Sequence, residues 1–105
     1  MYRGTTPNLQ IKIRSQLDLN NVKQCWATIK SSINSKEITY DLNSMALDPE
    51  EAILSIRMSQ EDTLKFGNGE LNIQVRLLMD DDLAYASNIK NISMNQILKD
   101  GVING

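Results

Sequence analysis

"LNIQVRLLM", residues 71–79, alternates apolar and polar side chains with a period of two. Leu71, Ile73, Val75, Leu77 and Met79 fall on one side, and Asn72, Gln74 and Arg76 on the other. Successive side chains of an extended chain point to opposite faces, so this pattern predicts a strand with one buried face. The same period recurs outward from it. Leu9, Ile11 and Ile13 alternate with Gln10, Lys12 and Arg14; Ile38, Tyr40 and Leu42 with Glu37, Thr39 and Asp41. Leu54, Ile56 and Met58 alternate with Ser55 and Arg57. Strands at regular spacing predict an all-β fold: an antiparallel β-sandwich, immunoglobulin-like in outline, of about seven strands. Its expected core is Leu9, Ile11, Ile13, Ile29, Leu54, Ile56, Leu71, Ile73, Val75 and Leu77.

The stretches between are turn chemistry. "FGNGE" (66–70) sets two glycines around Asn68, and "DDD" (80–82) separates the 71–79 strand from "LAYASNI" (83–89) as a hairpin tip. In "SQEDTLKF" (59–66), Ser59 stands as an N-cap with Asp62 three residues on, close to a capping box. "QLDLNNV" (16–22) is the second candidate helical turn, and "DPEE" (48–51) reads as a turn into the next strand. No repeat or linker divides the 105 residues, so residues 1–105 are read as a single domain.

Composition narrows the chemistry. Hydrophobic residues make up 41% and charged residues 23%, ordinary for a globular chain, and the net charge of −2 gives no footprint for nucleic acid. The chain has no histidine, which removes the usual general base and the commonest metal ligand. Its one cysteine, Cys25, sits in an apolar run and reads as a buried thiol. The expectation is no catalytic residue, no cofactor and no metal. Asp80, Asp81 and Asp82 lack the spacing and glycine of a calcium loop and read as a solvated tip, with calcium the alternative. No apolar stretch nears the roughly 20 residues of a membrane span. With Tyr2 and Arg3 leaving no room for a leader, a chain folded in a reducing cytosol is expected.

Candidate contact residues lie at the ends and in one strand. Tyr2 and Arg3 are residue types enriched in interface hot spots, though Tyr2 can equally pack on its own sheet edge. Ile97, Leu98, Val102 and Ile103 are apolar where loose termini are usually polar, so at least one end is expected to pack on the domain or on a neighbour. In "KQCWATIK", Cys25, Ala27 and Ile29 share one side, and Trp26 the other with Gln24, Thr28 and Lys30. Two placements are open for Trp26. The polar company favours the outer surface; the other is a core Trp, as in immunoglobulin-type domains.

"YRGTTP" (2–7), "SQEDTLKF", "IQVRLL" (73–78), "LAYAS" and "ILKDGVI" (97–103) occur in one order over nearly the whole chain. In that series the chain resembles a family of short proteins encoded in prophages of Gram-positive bacteria, often grouped with tail or baseplate components. Residues 31–51 carry no motif of it. The resemblance implies a non-enzymatic phage structural or assembly protein acting through protein–protein contacts. Its partners would be other phage structural proteins or copies of itself, as a homo-oligomer, with no nucleic acid and no membrane. It would be found in the bacterial host cytoplasm or incorporated into the virion. The alternative is a free-standing β-sandwich module binding carbohydrate or a host protein through Trp26 and nearby tyrosines.

Overall fold

The computed structural model describes residues 1–13, 17–67, 69–95 and 101–104. Among these residues, eight strands and one short helix follow one another: β1 (Asn8–Lys12), β2 (Val22–Ser31), β3 (Glu37–Tyr40), β4 (Ala46–Asp48), β5 (Ile53–Arg57), α1 (Gln60–Lys65), β6 (Gly69–Met79), β7 (Ala84–Ala86) and β8 (Lys90–Met94). They form two antiparallel sheets, one ordered β1-β5-β4 and the other β3-β2-β6-β7, with β8 also paired to β6. The chain is therefore mostly β, as the alternation predicts. Among the described residues no helix is long and apolar enough to cross a membrane.

β6 organises the larger sheet. Its alternation holds along its length: Leu71, Ile73, Val75, Leu77 and Met79 are all buried. β2 lies along one side, setting Cys25 opposite Leu77, Ala27 opposite Val75 and Ile29 opposite Ile73. β7 pairs with Arg76–Leu78 and β8 with Gly69–Ile73, so the two short strands share β6's other side end to end. Ile11, Leu54 and Ile56 of the smaller sheet belong to the same buried cluster as these β2 and β6 residues. One core serves both sheets.

Nine of the ten expected core residues are buried; Leu9 is only partly so, packing against the cluster from outside. It stands at the start of β1, an edge strand, whereas Ile11 further along the same strand is enclosed. Leu42 is also displaced from its expected place: the strand stops at Tyr40 and a 3-10 turn covers Leu42–Ser44. Asp41 causes this, its carboxylate accepting from the Asn43 amide at 3.1 Å. A second 3-10 turn, at Leu19–Asn21, is capped identically by Asp18, which accepts from the Asn20 amide at 3.0 Å. "DLN" occurs at both places, 18–20 and 41–43. A short carboxylate that bonds the backbone two residues on offers an alternative to a sheet ladder, and here it wins twice.

α1 is capped as expected at its start, the Ser59 hydroxyl accepting from the Asp62 amide at 3.1 Å. Six residues make less than two turns, which no helix sustains by its own bonds. The N-terminal segment supplies the rest. The Arg3 guanidinium donates to the Phe66 carbonyl at 2.7 Å and the Leu64 carbonyl at 3.1 Å, satisfying acceptors left over at the helix end. The buried Thr63 hydroxyl donates to the Thr5 carbonyl at 3.0 Å. Gly4 makes the bend between these contacts, at φ 71°, a conformation that suits glycine.

Candidate functional site

The residues singled out as contacts fall in different places. Arg3 is committed to α1 and is part-buried. Tyr2 forms a parallel bridge with Asn95 while its side chain stays 57% exposed. The Asn95 amide donates to the Met1 carbonyl at 2.6 Å, and the Arg3 amide to the Asn95 carbonyl at 3.1 Å. The N-terminal segment thus extends the larger sheet beyond the end of β8, closing that part of its edge. Val102 and Ile103 are exposed, with Ile103 tied to α1 through the Gln60 side chain. Ile97 and Leu98 lie outside the described residues. Hydrogen bonds therefore gather both ends of the chain on α1, and Trp26 belongs elsewhere.

Trp26 faces outward. It is 39% exposed, whereas its neighbours Cys25 and Ala27 are fully buried, which settles the choice between the two placements. Arg76 lies opposite it on β6. Small side chains at 25 and 27 fill the inner face, and the indole has no place there.

Among the described residues, the largest group of exposed apolar side chains within one stretch was not singled out from the sequence. Leu83, Tyr85 and Ile89, in and beside β7, are 54%, 40% and 62% exposed. Of the three, only Tyr85 lies within β7; Leu83 precedes it and Ile89 falls between β7 and β8. Tyr85 sits opposite Leu77 and so points to the core side of the sheet, yet it is not covered. Beside it opens a cleft of about 330 Å³ whose walls include Ile13, Leu17, Leu77 and Tyr85, with Lys12 and Lys90 also lining it. A neighbouring hollow of about 290 Å³ shares Leu17 and Tyr85 and is lined by Asp18, Asp80 and Asp81. Tyr85 therefore stands between a cationic and an anionic side.

The backbone of β7 is open as well. Met79 donates to the Leu83 carbonyl at 3.0 Å and Ser87 to the Val75 carbonyl at 2.8 Å. In an antiparallel ladder the residues that exchange hydrogen bonds alternate, so Leu83, Tyr85 and Ser87 face β6. The amides and carbonyls of Ala84 and Ala86 then point away from it, and among the described residues β7 has no other strand neighbour. "LAYASNI" carries no charge and no proline, the two usual devices that protect a sheet edge. That combination was the signal available in the sequence.

Elsewhere the titratable groups serve the fold. Burial pushes the Cys25 thiol up to about 11, keeping it protonated and inert. Tyr40 is raised strongly, first by burial and then by its 2.7 Å hydrogen bond to the Asp62 carboxylate. Asp81 accepts from the Leu83 amide at 3.1 Å, and Asp82 pairs with Lys23 at 3.1 Å, so both belong to the β6–β7 turn. Among the described residues no group of three or more Cys, Asp or Glu is placed to hold a metal ion. What the β7 edge offers chemically is binding, through free backbone groups flanked by apolar side chains. Comparison with family models, curated proteins and solved structures finds nothing that matches this chain.

Proposed function

We propose that this protein is a non-enzymatic structural or assembly component of a phage, tail- or baseplate-associated, that works through protein–protein contacts. One observation carries the reading: among the described residues, β7 leaves the backbone groups of Ala84 and Ala86 without a strand partner beside exposed Leu83, Tyr85 and Ile89. Such an edge accepts another strand, gaining main-chain hydrogen bonds and burying side chains on alternate positions. The resemblance to prophage proteins supplies the setting, with the chain folding in the host cytoplasm and passing into the virion. We also propose a sandwich arrangement of the two sheets, supported by their common core. The immunoglobulin-like outline extends only to that plan, since β2 and β3 pair within one sheet, whereas the immunoglobulin order places its second and third strands in different sheets.

Particles induced from a lysogen carrying the gene, purified on a density gradient and analysed by mass spectrometry, test this. The chain should be present in fixed ratio to the tail proteins, and particles that lack it would overturn the reading.

A second reading has Trp26 behind it, exposed on the outer sheet face across from Arg76. It is a binding module for carbohydrate or a host protein. Titration of Trp fluorescence with host cell-wall polysaccharide decides it, a saturable change supporting the module.

A further inference from the structure

We infer that the β7 edge pairs with the β7 edge of a second copy of this chain, antiparallel, about a two-fold axis through Tyr85. The inference rests on the reading of that edge as a contact surface, and it names the partner. Ala84 and Ala86 are the two β7 residues whose backbone groups point outward, and their positions fix the register. Setting Ala84 opposite Ala86 of the second copy, and Ala86 opposite its Ala84, makes four main-chain hydrogen bonds within the two β7 strands. A shift of one pair in one direction would need Asp82, which is held in the turn at φ 65°. A shift in the other would need Asn88, beyond the strand.

Charge supports the same partner. Around Tyr85, residues 80–90 read "DDDLAYASNIK": three acids at one end, a lysine at the other, no charge between. Asp80 stands in the turn beyond one end of β7 and Lys90 at the start of β8 beyond the other, so a two-fold axis through Tyr85 turns the acidic end of each copy toward the Lys90 end of the other. Both side chains are exposed, and Asp80 and Lys90 form no ion pair among the described residues. The stretch is thus complementary to itself, as a two-fold interface requires. The pairing also brings Tyr85 against its symmetry mate, where two aromatic rings bury area at little conformational cost. The N-terminal segment closes the edge beyond β8 and leaves the β7 part for the partner.

Sedimentation equilibrium on the full chain tests the pairing. The wild type should approach twice the 11.8 kDa chain mass with rising concentration and dissociate more readily in high salt. Ala84→Pro removes a donor that faces away from β6, so it should leave the circular dichroism spectrum unchanged and yield monomer. Asp80→Lys and Lys90→Asp, each alone, should weaken the dimer about tenfold, because the axis repeats each reversed pair. An equimolar mixture of the two variants should recover wild-type affinity, since every facing pair is again of opposite charge. A wild type that stays monomeric at millimolar concentration would overturn the inference, as would a mixture that associates no better than its components. Either result leaves detection of the chain in phage particles as a separate test of the contact reading.

Discussion

The Gln60 side-chain amide holds the Ile103 backbone at both of its polar groups. Nε2 donates to the Ile103 carbonyl at 2.9 Å, and Oε1 accepts from the Ile103 amide at 2.6 Å. A side chain at the first position of α1 thereby imitates a neighbouring strand and fixes the chain's last described segment. Gln60→Ala should release residues 101–104: the Ile103 amide should exchange with solvent at least about tenfold faster, while global stability falls by under about 1 kcal/mol. Native-state hydrogen exchange checks it, and an unchanged Ile103 amide would show that something else holds this end.

Arg3 closes the end of α1, as Ser59 caps its start. Its guanidinium donates to the Leu64 and Phe66 carbonyls, reached with its planar fork. Lysine presents a single ammonium and cannot serve both in the same geometry. Arg3→Lys should therefore cost about 1–2 kcal/mol by urea unfolding, with Arg3→Ala costing more. A lysine variant as stable as the wild type would remove Arg3 as the helix cap.

The two glycines of "FGNGE" are not equivalent. Gly69 holds φ at 127°, and a side-chain carbon there would also run into Cδ1 of Ile33. A carbon on Gly67 would meet only the Asn34 side chain, at 3.6 Å, with no positive φ to oppose it. Gly69→Ala should cost about 1–3 kcal/mol, and removing the Ile33 clash with Ile33→Ala should recover only part of that, because the strain is in the backbone. Gly67→Ala should lie within about 0.5 kcal/mol of the wild type. Thermal unfolding of the three variants would expose a reversed order.

Burial of Cys25 sets an alkaline limit on stability. The folded thiol ionises near 11, above its ordinary value of 9.0, so the folded state holds the proton more tightly than the unfolded chain. The associated stability is complete below about pH 9 and is lost as the pH rises toward about 11, at about 1.4 kcal/mol per pH unit. Tyr40, also raised, adds a loss of the same sign at still higher pH. Urea midpoints at about pH 8 and about pH 10.5 should show Cys25→Ala losing less than the wild type between them. Parallel losses would mean that the thiol ionises as readily folded as unfolded. A thiol reagent should correspondingly modify Cys25 only on unfolding.

The sequence by itself determined which way the side chains of the long strands point. Period-two alternation at 71–79 is a local property, so the burial of Leu71, Ile73, Val75, Leu77 and Met79 follows from it, whereas the alternation at 25–29 leaves Trp26 open between core and surface and the structure turns it outward. The Ser59 cap and the Asp80–Asp82 tip were legible for the same reason, each closing within a few residues. Local reading failed where two local signals competed, at Asp41-Leu42, where alternation said strand and the carboxylate made a turn.

Only the tertiary structure decided which strands meet, and with them the contact surface. Arg3 reads as an exposed anchor until the carbonyls it caps, 61 and 63 residues away, are brought beside it. Leu83 and Tyr85 alternate as a core-facing set would, and the core-side position of Tyr85 opposite Leu77 agrees. They remain exposed because β7 and β8 divide one side of β6 between them, which places β7 at the end of its sheet. Alternation specifies a face; whether another element covers that face depends on pairings between residues distant in sequence, which the period does not encode.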